Sequence, residues 1–253
     1  MRAWRILAVV LLFGFSAGCA RAQFAVSAGL EYFSWTEDTN PINVRERGPL
    51  FALGLAFTQP KEKGFLFAYR GRFYAGEVDY DGAYLDAPSV PVTGTTKYAG
   101  TAQEGQLRYR LGYGLDVLGG LGVDLWQRKL SDIQKEDYRI VYARLGVEGN
   151  AAGGKGWLGG AGLKYPLWTR ENANLTDIGF DQNPELKPGK DISVFGQLGY
   201  RFEQKWAIIA YLDGFRFKQS NQVAVSAGGV PQGVVYQPGV DMYVVGLKLE
   251  RSF

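Results

Sequence analysis

The chain has 253 residues, a formal net charge of +3, 35 glycines, one cysteine and no histidine. So small a charge, with no basic run, gives nucleic acid nothing to hold. One cysteine excludes a disulfide framework, and without histidine neither a Ser-His-Asp triad nor the commonest zinc ligand is available.

In "MRAWRILAVVLLFGFSAGCARAQ" two arginines precede an apolar run and then small residues. That layout predicts a secretory signal over 1–22, with Ala20-Arg21-Ala22 marking cleavage before Gln23. A second reading takes Ser16-Ala17-Gly18-Cys19, which resembles a lipoprotein box in which Cys19 would be lipidated. The remaining 23–253 reads as a single domain, with no linker and no helical periodicity.

From there the chain alternates in period two. The first segment, 24–35, sets Val26, Ala28, Leu30 and Tyr32 on one face. Segments 49–58, 65–78 and 101–113 follow, then 118–129, 138–149 and 157–168. The last three are 191–202, 206–218 and 243–253. In 206–218 the alternation slips near Asp213-Gly214, which predicts a bulge. Ten strands are expected, with eight or twelve as alternatives. At about ten to fourteen residues they exceed the mode of about 5–6 for globular strands and suit a tilted membrane crossing, which needs about 9–11.

The connections alternate too. Long ones are expected at 36–47, 79–100, 169–189 and 219–239, with 130–137 intermediate. The short ones are "QPKEKG", the turn 114–116, "NAAGGKG" and "FEQKW". Aromatic residues near segment ends (Trp35, Phe57, Phe65, Tyr113, Trp157, Trp168, Tyr200, Phe202, Trp206 and Phe253) are expected to form girdles at the two membrane interfaces.

The chain closes with "YVVGLKLERSF", in which Tyr243, Val245, Leu247 and Leu249 alternate before Phe253. Here the chain resembles bacterial outer-membrane β-barrel proteins, whose last strand commonly ends in phenylalanine after such alternation. The resemblance implies a closed all-β antiparallel transmembrane barrel in the outer membrane. It implies outer-membrane lipids and the barrel-assembly machinery as partners, with these five residues as the assembly signal. Arg251 departs from the pattern and is expected to snorkel to the headgroups. A water-soluble barrel with the apolar face inward is the competing architecture; strand length and the terminal Phe253 oppose it.

In such a barrel the charged face points inward. Parity places Arg70, Arg72, Arg108, Arg110, Arg128, Arg144, Lys164, Arg201, Arg216 and Lys248 in the lumen. Glu31, Glu104, Asp124, Glu148 and Glu250 join them, for an inferred lumen charge of ten minus five, with Arg70, Arg72, Arg108 and Arg110 on one wall. The functional reading is a structural or surface-interaction barrel filled by charged side chains. The alternatives are a narrow anion-preferring pore and, more remotely, a histidine-independent enzyme. Ten-stranded outer-membrane enzymes such as the omptin proteases depend on histidine, so no enzyme and no cofactor are expected. Asp177, Asp181, Glu185 and Asp191 lack the spacing of an EF-hand and read as a solvated loop, not a metal site. The apolar "NQVAVSAGGVPQGVVYQPGVD" reads as a raised hairpin or a contact surface. Its ligand is left open.

Overall fold

The computed structural model describes residues 23–83, 89–112, 114–149, 155–202 and 205–253. The signal segment with Cys19 lies outside them, as does Tyr113. Strands β1 (Gln23–Asp38), β2 (Val44–Thr58), β3 (Gly64–Ala83), β4 (Pro91–Gly112), β5 (Leu115–Lys129), β6 (Lys135–Gly149) and β7 (Gly156–Asn172) run in sequence. A 3-10 turn (Leu175–Ile178) and the two-residue strands β8 (Glu185–Leu186) and β9 (Gly189–Lys190) follow. Then come β10 (Ser193–Arg201), β11 (Trp206–Lys218), a hairpin of β12 (Val223–Ala227) and β13 (Val230–Val235), and β14 (Gly239–Ser252).

Ten of these close a ring. Neighbours pair antiparallel from β1 to β7; β7 then pairs β10, β10 pairs β11, β11 pairs β14, and β14 returns to β1. The closing seam runs from Ala25 opposite Ser252 to Asp38 opposite Gly239, and the Phe253 amide donates to the Phe24 carbonyl at 2.8 Å. Closure leaves no open edge, so every ladder group has a partner without water.

Alternation then sorts the side chains. Leu30, Phe51, Leu107, Leu121, Leu145, Leu198 and Leu247 point outward and are 54–64% exposed. A continuous apolar belt of this size requires a covering solvent of hydrocarbon. Phe65, Trp157, Trp168 and Phe253 mark its rims, all at least 40% exposed. Above the belt the outer face turns charged, with cross-strand ion pairs such as Lys97–Glu77 and Arg216–Asp241, both at 2.9 Å.

The surplus length goes into strands rather than loops. The connection expected at 79–100 is largely strand, since β3 runs to Ala83 and β4 starts at Pro91. Only 39–43 and 130–134 remain as loops between β1 and β2 and between β5 and β6. With 22 residues β4 has about twice the length a crossing needs, so the barrel wall rises above the hydrocarbon. The slip expected at Asp213-Gly214 is absent on the β14 side, where β11 keeps unbroken register from Trp206 to Phe217. On its other side the pairing with β10 stops at Leu212 and resumes with β9 at Phe217, one residue out of register. A further bulge falls where Tyr142 opposes Pro166, which has no N–H to give the ladder.

Inward glycines make room for rings. A Cβ on Gly122 would lie 2.4 Å from the Tyr142 ring, and one on Gly246 would lie 2.4 Å from the Tyr211 ring. Neither position admits a side chain while those aromatics project into the lumen.

Candidate functional site

The lumen is built in layers. At the short-turn end a cavity of about 370 Å³ runs from Gln23, Thr58 and Ser252 up to Tyr142 and Asp213. One wall is lined by small residues of β1 and β2, including Ala25, Ser27, Gly29, Gly54 and Ala56. The facing charges are paired across strands. Arg70 and Arg108 both reach Glu148 at 2.8 Å, Arg110 meets Asp116 at 2.7 Å, and Arg72 meets Glu31 at 3.0 Å. Lys248 lies 3.3 Å from Glu250, and Arg201 lines the same cavity.

Above this, Asp213 holds Arg144 at 2.7 Å and Lys164 at 2.6 Å, while Glu104 takes the other side of Arg144 at 3.1 Å. Asp124 accepts a hydrogen bond from the Tyr74 hydroxyl at 2.9 Å. The Lys164 ammonium sits 3.7 Å from the centre of the Phe215 ring, which begins the next layer.

That layer is aromatic and dry. Trp35, Tyr98, Trp126, Tyr138 and Phe215 come from five strands around the ring, and each is no more than 4% exposed. Trp126 stacks on Tyr138 at 4.9 Å and on Phe215 at 6.2 Å, with Trp35 edge-on to Tyr138 at 5.6 Å. Leu50, Val78, Ile140, Val240, Met242 and Val244 fill the gaps. Trp35 thus lies inside the barrel rather than in the girdle expected for it, because it has the opposite parity to Leu30 and Tyr32.

The outermost layer is acidic. Arg128 is 3% exposed and is gripped by Glu46 at 2.6 Å and by Glu37 and Glu136 at 2.9 Å each. The hydroxyls of Thr96 and Tyr98 also donate to Glu46, and the Trp35 indole donates to Glu37 at 2.8 Å. Glu171 is buried close by.

The cap above it consists of 173–192 and 219–238. Ala173, Leu175 and Val225 form a small core with Phe180 and Val235. Asp181 fastens the β12–β13 hairpin: it accepts from the Ser226 hydroxyl at 2.6 Å and from the Gly228 and Gly229 amides at 2.8 and 3.0 Å. Those donors hold its carboxyl below the usual range. A depressed folded-state value stabilises the clasp above the ordinary aspartate pKa of about 3.9, and that contribution is lost as pH falls through the folded value. The protection of the Gly228 and Gly229 amides, measured against their intrinsic exchange rates, should therefore fall below about pH 4. Asp181→Asn should show the lower protection already at neutral pH; unchanged protection in that variant would exclude the clasp.

Parity from the sequence missed six inward carboxylates: Glu37, Glu46, Asp116, Glu136, Glu171 and Asp213. Extending the alternation of β2 back from Ala52 through Leu50 and Gly48 reaches Glu46, so that signal was present. Arg216 is a correction in the other direction. It is flanked by buried Phe215 and Phe217 and points outward to Asp241. Among the described residues the lumen then holds nine cations and eleven carboxylates, or −2 rather than +5. The four arginines expected on one wall do share β3 and β4, but all four have a carboxylate within 3.0 Å, Arg70 and Arg108 sharing Glu148.

The proposed assembly residues line one face of β14. Val245, Leu247, Leu249 and Phe253 are 44–60% exposed outward, with Tyr243 in the same phase. Arg251 lies over the rings of Trp206 and Phe253 at 5.3 and 5.0 Å.

A closed antiparallel ring with an apolar outer belt and a filled lumen defines a membrane-spanning β-barrel of the bacterial outer-membrane type. A solved structure shares this fold. The outer membrane protease OmpT from Escherichia coli superposes with a TM-score of 0.53 at 10% identity, covering 92% of this chain and 96% of that one. The outer membrane protein OprG from Pseudomonas aeruginosa matches with a TM-score of 0.41 at 12% identity, covering 93% and 98%. No family model matches the chain, and no curated protein sequence matches it.

Proposed function

We propose that this chain is an integral outer-membrane barrel that does not conduct, and that its role is structural or surface-interacting rather than enzymatic. The observation that carries this reading is the aromatic layer, in which side chains from opposite walls meet in ring contact and exclude water. Small barrels are commonly filled by side chains in this way. What the protein offers a partner is then its outer rim: the raised wall, the cap and the exposed Val230, Val234 and Tyr236 of the hairpin region. Outer-membrane lipids contact the belt, and the barrel-assembly machinery reads the β14 face ending in Phe253.

Single-channel recording of the refolded protein in a planar bilayer tests the closed lumen. No stepwise current is expected at any voltage. Sustained openings would overturn this reading, and anion preference in a salt gradient would then favour the narrow anion-preferring pore.

A further inference from the structure

The cavity at the short-turn end is larger than side-chain packing requires, and its charge is sorted by depth. Its cations face the open space: the side chains of Arg70, Lys248, Arg110 and Arg72 are 32, 25, 21 and 20% exposed. Their carboxylate partners Glu148, Asp116 and Glu31 are 3, 0 and 0% exposed and stand behind them. Asp213 and Glu250 are the carboxylates that show toward the cavity, at 21 and 15%. The Nε of Arg201, which also lines the cavity, is buried without a hydrogen-bond partner among the described residues.

The small side chains of β1 and β2 are what leave this space open. A volume of about 370 Å³ is within the range of small-molecule sites. On the open face the exposed cations outnumber the exposed carboxylates four to two, and such an excess in a low-dielectric cleft concentrates the opposite ion; guanidinium groups favour oxyanions because their paired donors match two oxygens.

We infer that this cavity is a binding site for a small oxyanion, of the phosphate or carboxylate type, reached from the short-turn side of the membrane. The inference rests on the closed lumen proposed above, since the aromatic layer makes the cavity blind. Arg70 and Lys248, the two cations most open to the cavity, hold the anion.

Thiol chemistry tests it. In a Cys19→Ala background, Ser27→Cys places a single thiol in the cavity wall. Its rates with a sulfonate-bearing and a quaternary-ammonium-bearing methanethiosulfonate are compared with those of free cysteine. The sulfonate-to-ammonium ratio should be about tenfold higher in the cavity. Inorganic phosphate should slow the sulfonate reagent, and Arg70→Gln with Lys248→Gln should return the ratio toward that of free cysteine. A ratio no higher than that of free cysteine overturns the inference, as does a ratio the double substitution leaves unchanged. Should the double variant not fold, judged by its mobility on unheated gels, the phosphate arm decides: no slowing overturns it. Conductance of the unmodified barrel would sink the closed-lumen reading but would not alter this ratio, so the two failures are distinguishable.

Discussion

Arg128→Met should lower the unfolding free energy in lipid vesicles by about 3–5 kcal/mol, the cost of removing one partner from a buried ion cluster. Among the described residues Arg128 is the single cation of the outermost layer. Its Nε and Nη2 both donate to Glu46, and its Nη1 is shared by Glu37 and Glu136. Methionine fills much of the same space, so packing is largely kept and the loss is electrostatic. Three carboxylates are then left without their donor in a site that excludes water. Glu46→Gln removes one of those charges and keeps one oxygen, which can accept from the Tyr98 or the Thr96 hydroxyl but not from both, because the two use different carboxylate oxygens. The two substitutions should therefore couple by about 1–3 kcal/mol in a double-mutant cycle. Guanidinium chloride unfolding of the four proteins measures both quantities. A cost below about 1 kcal/mol for Arg128→Met, in the range of a surface pair, would mean that the layer is wet.

The cluster also shows where reading by alternation stops. Within the hydrocarbon band the rule is strict: Leu121 and Leu145 must face lipid, and Asp124, Arg144 and Glu148 must not. Period two alone recovers the ten strands, their order and their closure, and β11 matches the expected 206–218 residue for residue. Above the band the constraint lapses, because both faces of the wall can be wet or packed. Thr93, Thr95 and Lys97 then look like loop, although they belong to β4. Arg216 can point out to Asp241 at no desolvation cost, so its charge no longer implies the lumen. Conversely, Trp35, Trp126 and Phe215 resemble girdle or lipid-facing residues, and parity alone puts them inside. The aromatic layer was legible through parity and not through residue type: an apolar residue says that it avoids water, not which water-free side it chose.

The axis of the barrel is consequently polarised. Among the described residues, eight cations and seven carboxylates occupy the part below the rings, and one arginine with four glutamates, three of them buried, lies above. In the closed lumen proposed above, the aromatic layer is the insulator between them. A closed lumen needs it, since ion pairs on a barrel wall can be rehydrated one at a time, whereas interlocked rings open only by leaving a hole.

Phe215 and Trp126 are therefore the pair whose loss should have the greatest effect on both stability and closure. Phe215 touches Trp126, Tyr142 and Phe217 at centroid distances of 6.2, 5.6 and 5.5 Å and carries Lys164 on its face. Truncating a buried aromatic of this kind costs about 3–5 kcal/mol, so Phe215→Ala should lower stability by that amount. Trp126→Ala should cost a similar amount. The double variant should cost less than the sum, because each substitution removes contacts the other also counts. Together they clear the space between Asp213 below and Arg128 above. The double variant, refolded and recorded in the same bilayer, should show small stepwise currents that the unmodified barrel lacks. Silence in a variant destabilised by the full amount would assign closure to the Arg128 layer instead. Near-native stability would refute the aromatic layer as the part that holds the outer lumen together.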